Sequence, residues 1–86
     1  MAADIREKTY VGERIEVAVV FDKVEVIKPV KFKWKGRTIN IKEVTYSWHT
    51  MSGKSKVCRF TVTDNESLYE LSYDTNTLKW ELDSVE

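Results

Sequence analysis

The feature that most constrains the fold of this chain is the alternation of apolar and polar residues in VKFKWKGRTINI, which runs from Val30 to Ile41. Successive side chains of a β-strand point to opposite faces of a sheet, so this spacing predicts strands with one apolar and one basic face. Lys35-Gly36 predicts a two-residue turn between two such strands. In the resulting hairpin Trp34 pairs with Arg37, which can stack on it, Phe32 pairs with Ile39, and Val30 pairs with Ile41.

The same period of two recurs along most of the chain. It predicts a strand over residues 14–21, where the β-branched content disfavours a helix. It resumes over residues 44–48 with a changed parity, which predicts a β-bulge or a bend near Lys42-Glu43. Residues 50–55 are polar or small apart from Met51 and predict a loop.

Two further hairpins are predicted in the C-terminal third, with turns at Asn65-Glu66 and at Thr75-Asn76. Both bring their large apolar residues to one side of the sheet. The predicted pairs are Val62 with Tyr69, Phe60 with Leu71 and Cys58 with Tyr73, followed by Tyr73 with Leu78, Leu71 with Trp80 and Tyr69 with Leu82. The same register places Glu70 opposite Glu81 on the outer face.

These patterns predict a single all-β domain over residues 1–86: a five- to six-stranded antiparallel meander, strongly twisted, and curled or closed towards a small barrel. We expect residues 1–12 to be frayed and residues 13–86 to form the meander. The predicted core consists of Phe32, Trp34, Ile39, Ile41, Tyr46, Trp48, Phe60, Val62, Tyr69, Leu71, Tyr73, Trp80 and Leu82.

The composition disfavours catalysis. The single cysteine, Cys58, excludes an intramolecular disulfide and a multi-cysteine zinc site, and its inward parity favours a buried, inert thiol. The three glycines are too scattered for a phosphate-binding loop. The one histidine, His49, has no spacing to Cys58 that would mark a nucleophile pair, so a surface or capping role is favoured. We therefore expect a protein that is not an enzyme, with no cofactor and no metal.

The N-terminus lacks the apolar region of a signal peptide, and no apolar run approaches membrane-spanning length. A cytoplasmic protein with no membrane partner is the expectation. Formal net charge is zero, but the charges are segregated along the chain. Residues 28–59 carry a balance of +8 and residues 64–86 a balance of −6. This asymmetry is the most informative charge feature.

Five basic residues of the quoted hairpin are candidates for binding nucleic acid: Lys31, Lys33, Lys35, Arg37 and Lys42. Small β-barrels track phosphates with surfaces of this kind, and Lys54, Lys56 and Arg59 could extend the patch. Every aromatic residue has inward parity, however, which leaves none for stacking on bases. The favoured alternative is that the lysines keep a sheet edge from pairing with another sheet.

The segments FKWKGRTINIKEVTYSWHT and RFTVTDNESLYELSYDTNTLKWELDSVE resemble a small bacterial domain family without an assigned activity. They share its Phe-x-Trp-x-Gly-Arg hairpin, Arg-Phe-x-Val strand, Tyr-Glu-Leu strand and closing Trp-x-Leu. They are also similar to the C-terminal segment of some bacterial proteins related to Y-family DNA polymerases. The resemblance covers residues 28–86 and implies an accessory domain linked to DNA repair. Its motifs are core and turn residues, which specify a fold better than an activity.

Three functional hypotheses follow from the sequence. The leading one is a non-catalytic interaction or accessory module that acts through a protein partner, oriented by the opposite charges of its two halves. The second is a nucleic-acid-binding accessory domain that uses the basic hairpin. The third is head-to-tail self-association of the two charged segments. The oligomeric state stays open.

Overall fold

The computed structural model describes residues 7–23 and 26–86, which form one antiparallel sheet curled into a half-barrel. The strands are β1 Thr9–Lys23, β2 Val26–Trp34, β3 Arg37–Asn40, β4 Glu43–Ser52, β5 Ser55–Thr63, β6 Leu68–Asp74 and β7 Lys79–Val85. The all-β, antiparallel and curled predictions are confirmed. The predicted five to six strands are too few, because the described residues form seven.

The order of the strands across the sheet is β3-β2-β1-β7-β6-β5-β4, so two meanders are joined where β1 pairs with β7. The long strand β1 serves both meanders in turn. Its first part, from Thr9 to Ile15, pairs with β7, and the part from Glu16 onwards pairs with β2. Residues 9–12, which we expected to be frayed, are therefore part of the sheet. The first six residues of the predicted frayed segment lie outside the described ones.

The predicted β2–β3 hairpin is confirmed. Phe32 lies opposite Ile39 and Trp34 opposite Arg37, and the Ile41 amide donates to the Val30 carbonyl at 2.9 Å. The turn at Lys35-Gly36 has positive φ at both residues, 52° and 73°, the geometry of a type I′ hairpin. The ammonium group of Lys35 lies 4.8 Å from the centre of the Trp34 ring, so Lys35 supplies the cation that the sequence assigned to Arg37.

The core lies on the concave side of the half-barrel. Phe32 of β2 meets Tyr69 of β6 edge to face at a centroid distance of 5.2 Å, which ties the two meanders together. Trp80 packs between Phe60 and Tyr73, with ring centroids 5.5 and 4.9 Å away. The buried cluster is Phe32, Ile39, Phe60, Val62, Tyr69, Leu71, Trp80 and Leu82, with Trp34, Ile41 and Tyr73 partly buried against it.

Tyr46 and Trp48 are not in this core. The strand β4 has a bulge between Val44, which lies opposite Val62, and Tyr46, which lies opposite Thr61. The extra residue reverses the faces, so Tyr46 and Trp48 share the outer face, and Tyr46 is 65% exposed. The predicted change of parity near Lys42-Glu43 is present, because Ile41 and Val44 both pack against the core, but the bulge inside β4 is a second change that was not predicted. Placing both rings in the core was therefore wrong.

The hairpin between β5 and β6 has the predicted pairs, but the one between β6 and β7 is shifted by two residues. Tyr73 lies opposite Trp80 and Leu71 opposite Leu82. The shift arises because the turn is longer than predicted: the Asp74 carboxylate accepts from the Asn76 amide at 2.8 Å, and Leu78 adopts φ 62°. Leu78 is consequently exposed, and Ser84 rather than Glu81 lies opposite Glu70.

The predicted loop over residues 50–55 is also wrong. The strand β4 continues to Ser52 and β5 begins at Ser55, with a tight turn at Gly53-Lys54 between them. The hairpin is therefore long, and its last two pairs, Met51 with Lys56 and Ser52 with Ser55, lie beyond the end of β6.

Candidate functional site

The two outermost strands of the sheet, β3 and β4, are joined by a link of only two residues. The Ile41 amide donates to Val30 of β2, while the Lys42 amide donates to the Thr63 carbonyl of β5 at 2.7 Å. This link bridges one end of the half-barrel. Beyond it, β3 pairs only with residues 31–34 of β2. We call the gap between residues 26–30 of β2 and strand β4 the seam.

The seam contains a groove of about 270 Å³, lined by Ile27 of β2 and by Ser47, Trp48, His49, Lys56, Cys58 and Phe60 of β4 and β5. The register places Ser47, His49 and Met51 on its concave side, opposite Phe60, Cys58 and Lys56. Phe21 lies opposite Ile27 and shares its face. Phe21 is 73% exposed and Met51 is 64% exposed, so the open end of the half-barrel presents apolar side chains to solvent.

The strand β4 has few of the features that normally protect a sheet edge. It spans ten residues, EVTYSWHTMS, and among the described strands it pairs on one side only, with β5. Its single charged residue, Glu43, and its bulge lie at its start, and it contains no proline or lysine. An exposed edge of this length and composition offers its backbone N–H and C=O groups to another strand.

The outer face of β4 is held to the sheet by a polar network centred on Arg59. Its Nε donates to the Thr50 hydroxyl at 3.1 Å and its Nη1 contacts the Asp83 carboxylate at 3.2 Å. The Ser72 hydroxyl donates to the same carboxylate at 2.9 Å. Burial raises the pKa of Asp83 above its ordinary value. This effect outweighs the hydrogen bond from Ser72 and the positive charge of Arg59, which both lower the pKa. Arg59 is thus part of the fold rather than of the predicted basic patch.

Much of the negative charge of the C-terminal segment is used inside the fold. Asp64 accepts from the Glu66 and Ser67 amides and from the Tyr69 hydroxyl, and these bonds together lower its pKa against the effect of burial. The Lys8 ammonium group lies 2.7 Å from the Glu70 carboxylate. Its hydrogen bond and the one from the Ser84 hydroxyl lower the pKa of Glu70, against the effect of burial. Asp64 stays ionised, but Lys8 and Arg59 offset the charges of Glu70 and Asp83 inside the fold, which leaves less negative charge for head-to-tail association.

The five predicted nucleic-acid-binding residues are exposed but do not form one surface. Lys31 and Lys33 lie on the outer face, at a depression of about 280 Å³ that Glu16 and Thr38 also line. The Lys35 ammonium group lies over the Trp34 ring, and Arg37 lies opposite Trp34 on the same face of the sheet. Lys42 lies in the link between β3 and β4. None of the five forms an ion pair with a described acidic residue.

Lys54 and Lys56 lie on the β4–β5 hairpin, and Lys56 lines the groove at the seam, whereas Lys31 and Lys33 line the depression on the outer face. The expectation that no aromatic ring is exposed was wrong. Tyr10, Phe21 and Tyr46 have exposed fractions of 81%, 73% and 65%.

The structure brings His49 and Cys58 together, which the sequence spacing did not predict. They lie opposite each other on β4 and β5, on the concave side at the seam, but no hydrogen bond joins their side chains. Cys58 is partly exposed rather than buried. Within residues 7–23 and 26–86, no three His, Cys, Asp or Glu side chains converge as metal ligands would. The part of the chain that is described also contains no helix long and apolar enough to cross a membrane.

Fold and site together define a small antiparallel half-barrel with a groove beside the exposed edge of β4. Comparison of the chain with protein-family models, with curated proteins and with solved structures gives no match.

Proposed function

We propose that this protein is a non-catalytic interaction or accessory module that binds a protein partner at the seam. The observation that carries the proposal is the edge of β4: from Val44 to Gly53 it bears no charged residue, and Tyr46 and Met51 are 65% and 64% exposed. Exposed aromatic and methionine side chains beside free backbone groups are the composition of a protein-binding surface.

Photo-cross-linking in the cells that make the protein tests this proposal. A photoreactive phenylalanine analogue replaces Tyr46 or Met51 on β4, and in the control it replaces Thr38, which is exposed on β3. We expect discrete adducts with another protein from both β4 positions and none from Thr38. Absence of adducts from β4, or equal adducts from all three positions, would overturn the proposal.

A second candidate function is nucleic-acid binding through Lys31, Lys33, Lys35, Arg37 and Lys42. The link to DNA repair that the family resemblance implies is part of this candidate. It is supported by the exposure of all five side chains and by their lack of described ion-pair partners. The test is titration of labelled single- and double-stranded DNA at low and moderate salt. This candidate requires binding with a steep salt dependence that Lys31→Glu and Lys33→Glu weaken and that Lys79→Glu on β7 leaves unchanged.

A further inference from the structure

Building on the proposed function, we propose that the partner inserts an extended, acidic segment into the seam, where it pairs with β4 as an additional strand. The free edge of β4 spans ten residues, which corresponds to about 33 Å of strand at roughly 3.3 Å per residue. Strand addition of this kind derives affinity from main-chain hydrogen bonds and specificity from alternate side chains.

The concave side of the seam determines the apolar half of the segment. A strand paired with β4 places every second side chain beside Ser47, His49 and Met51, over the groove that Ile27 and Phe60 line. Aliphatic residues at these positions would cover surface that is now open to water. The remaining side chains would lie beside Tyr46 and Trp48 on the outer face, where cross-strand contacts with aromatic rings are favourable.

The charges around the seam determine the ends of the segment. Lys42 precedes β4, Lys54 lies in the turn that follows it, and Lys56 lines the groove. Lys28 is exposed on β2, and Glu43 is the one described acidic residue on the two facing strands. The rim of the seam is therefore positive, and complementary charge in a partner means aspartate or glutamate on both sides of the apolar residues.

The same charges disfavour a second copy of this chain as the occupant. Full antiparallel pairing of β4 with itself would bring Lys42 of one copy close to Lys54 of the other, and like charges at close range oppose association. The edge of β2 across the seam is also poorly suited to pairing, because Pro29 has no N–H to donate.

The test uses the synthetic peptide EEVTVSVTVEE as the probe. Two control peptides have either lysine in place of every glutamate or N-methylated amides at the central residues. Cys58 is the only cysteine and lines the groove, so its rate of alkylation reports occupancy of the seam. We expect the acidic peptide to slow alkylation with a Kd on the order of tens of micromolar, since a short strand loses conformational entropy on binding. Neither control peptide should protect the thiol.

Charge reversal of the rim supplies matched variants. Lys54→Glu with Lys56→Glu should weaken binding of the acidic peptide at least about tenfold and favour the lysine peptide. The pair Lys31→Glu and Lys33→Glu, on the outer face of β2, should leave binding unchanged. Equal protection by the N-methylated peptide, or equal binding of acidic and basic peptides, would overturn strand addition by an acidic segment.

The outcomes separate this inference from the proposed function. Cross-links from Tyr46 and Met51 without any binding of the acidic peptide would overturn the inference and leave the function standing. Binding of the peptide without cross-links in cells would contradict the function instead. A dimer in sedimentation that Ser47→Lys abolishes, or DNA binding that depends on Lys54 and Lys56, would assign the seam to another occupant and overturn the inference.

Discussion

The two edges of this sheet differ in what their side chains do. At the β2–β3 edge the inward residues Phe32 and Ile39 are 1% and 5% exposed and belong to the core. At the β4 edge only Val44 packs against the core, while Tyr46 and Met51 are largely exposed. The edge strand β3 is also short and its neighbour β2 carries lysines, whereas β4 is long and nearly uncharged. One edge therefore contributes to stability, and the other is available to a partner.

Alanine substitutions at the two edges should give the largest contrast. Phe32→Ala removes a buried ring that joins the two meanders, and we expect a loss of about 3–5 kcal/mol in the free energy of unfolding. Tyr46→Ala removes an exposed ring and should change it by no more than about 0.5 kcal/mol. Urea unfolding of both variants measures the difference. Equal losses would mean that the two edges are equivalent in the fold.

A charge placed on the β4 edge should make it as unfavourable for strand addition as the β2–β3 edge. Ser47→Lys puts an ammonium group beside the groove, and inward-pointing charges of this kind hinder strand addition. We expect the EEVTVSVTVEE peptide to bind at least about tenfold more weakly, or about 1.4 kcal/mol, with little change in urea unfolding. Thr38→Lys on β3 is the control. Undiminished peptide binding by Ser47→Lys would show that β4 is not the docking edge.

The smallest expected effect is a change in the pH dependence of stability, which involves Asp64 after β5 and Asp83 of β7. The lowered pKa of Asp64 means that the folded state favours its ionised form, so its contribution to stability is present above the ordinary value of 3.8 and is lost as pH falls through the folded-state pKa. The raised pKa of Asp83 acts in the opposite direction: the folded state binds its proton more readily, so acidification through that pKa favours folding.

Urea unfolding between pH 7 and pH 3 separates the two carboxylates. Relative to the parent protein, Asp64→Asn should lose less stability on acidification and Asp83→Asn should lose more. Asp64→Asn should leave the β4 edge as accessible as in the parent protein, which Cys58 alkylation at neutral pH can follow. Identical pH profiles for the two variants would contradict these assignments.

The sequence predicted local pairing better than it predicted the site. The hairpin at Lys35-Gly36 and the one at Asn65-Glu66 have the predicted registers, because a short turn and a period of two fix which residues face each other. The turn after Asp74 was misplaced because its length depends on hydrogen bonds that the Asn76 and Thr77 amides donate to the Asp74 carboxylate. These bonds lengthen the loop by two residues, so Trp80 and Leu82 keep their parity. Trp80 and Leu82 stayed on the inner face, whereas Leu78 became part of the exposed turn.

The seam could not be predicted, because it depends on which strands have no neighbour. Nothing local in the sequence shows that β1 pairs with β7, and that pairing is what leaves β3 and β4 at the edges. The bulge that turns Tyr46 and Trp48 outwards was not predicted: the sequence indicated one change of parity near Lys42-Glu43, and the second change inside β4 decides which face each ring occupies.

The sequence by itself determined that alternate side chains of this chain face opposite ways, because the pleat of a strand is a local property of the backbone. Only the tertiary structure decided which strands close the core and which one stays open, because strand order and bulge positions depend on how the whole sheet curls to bury its apolar face.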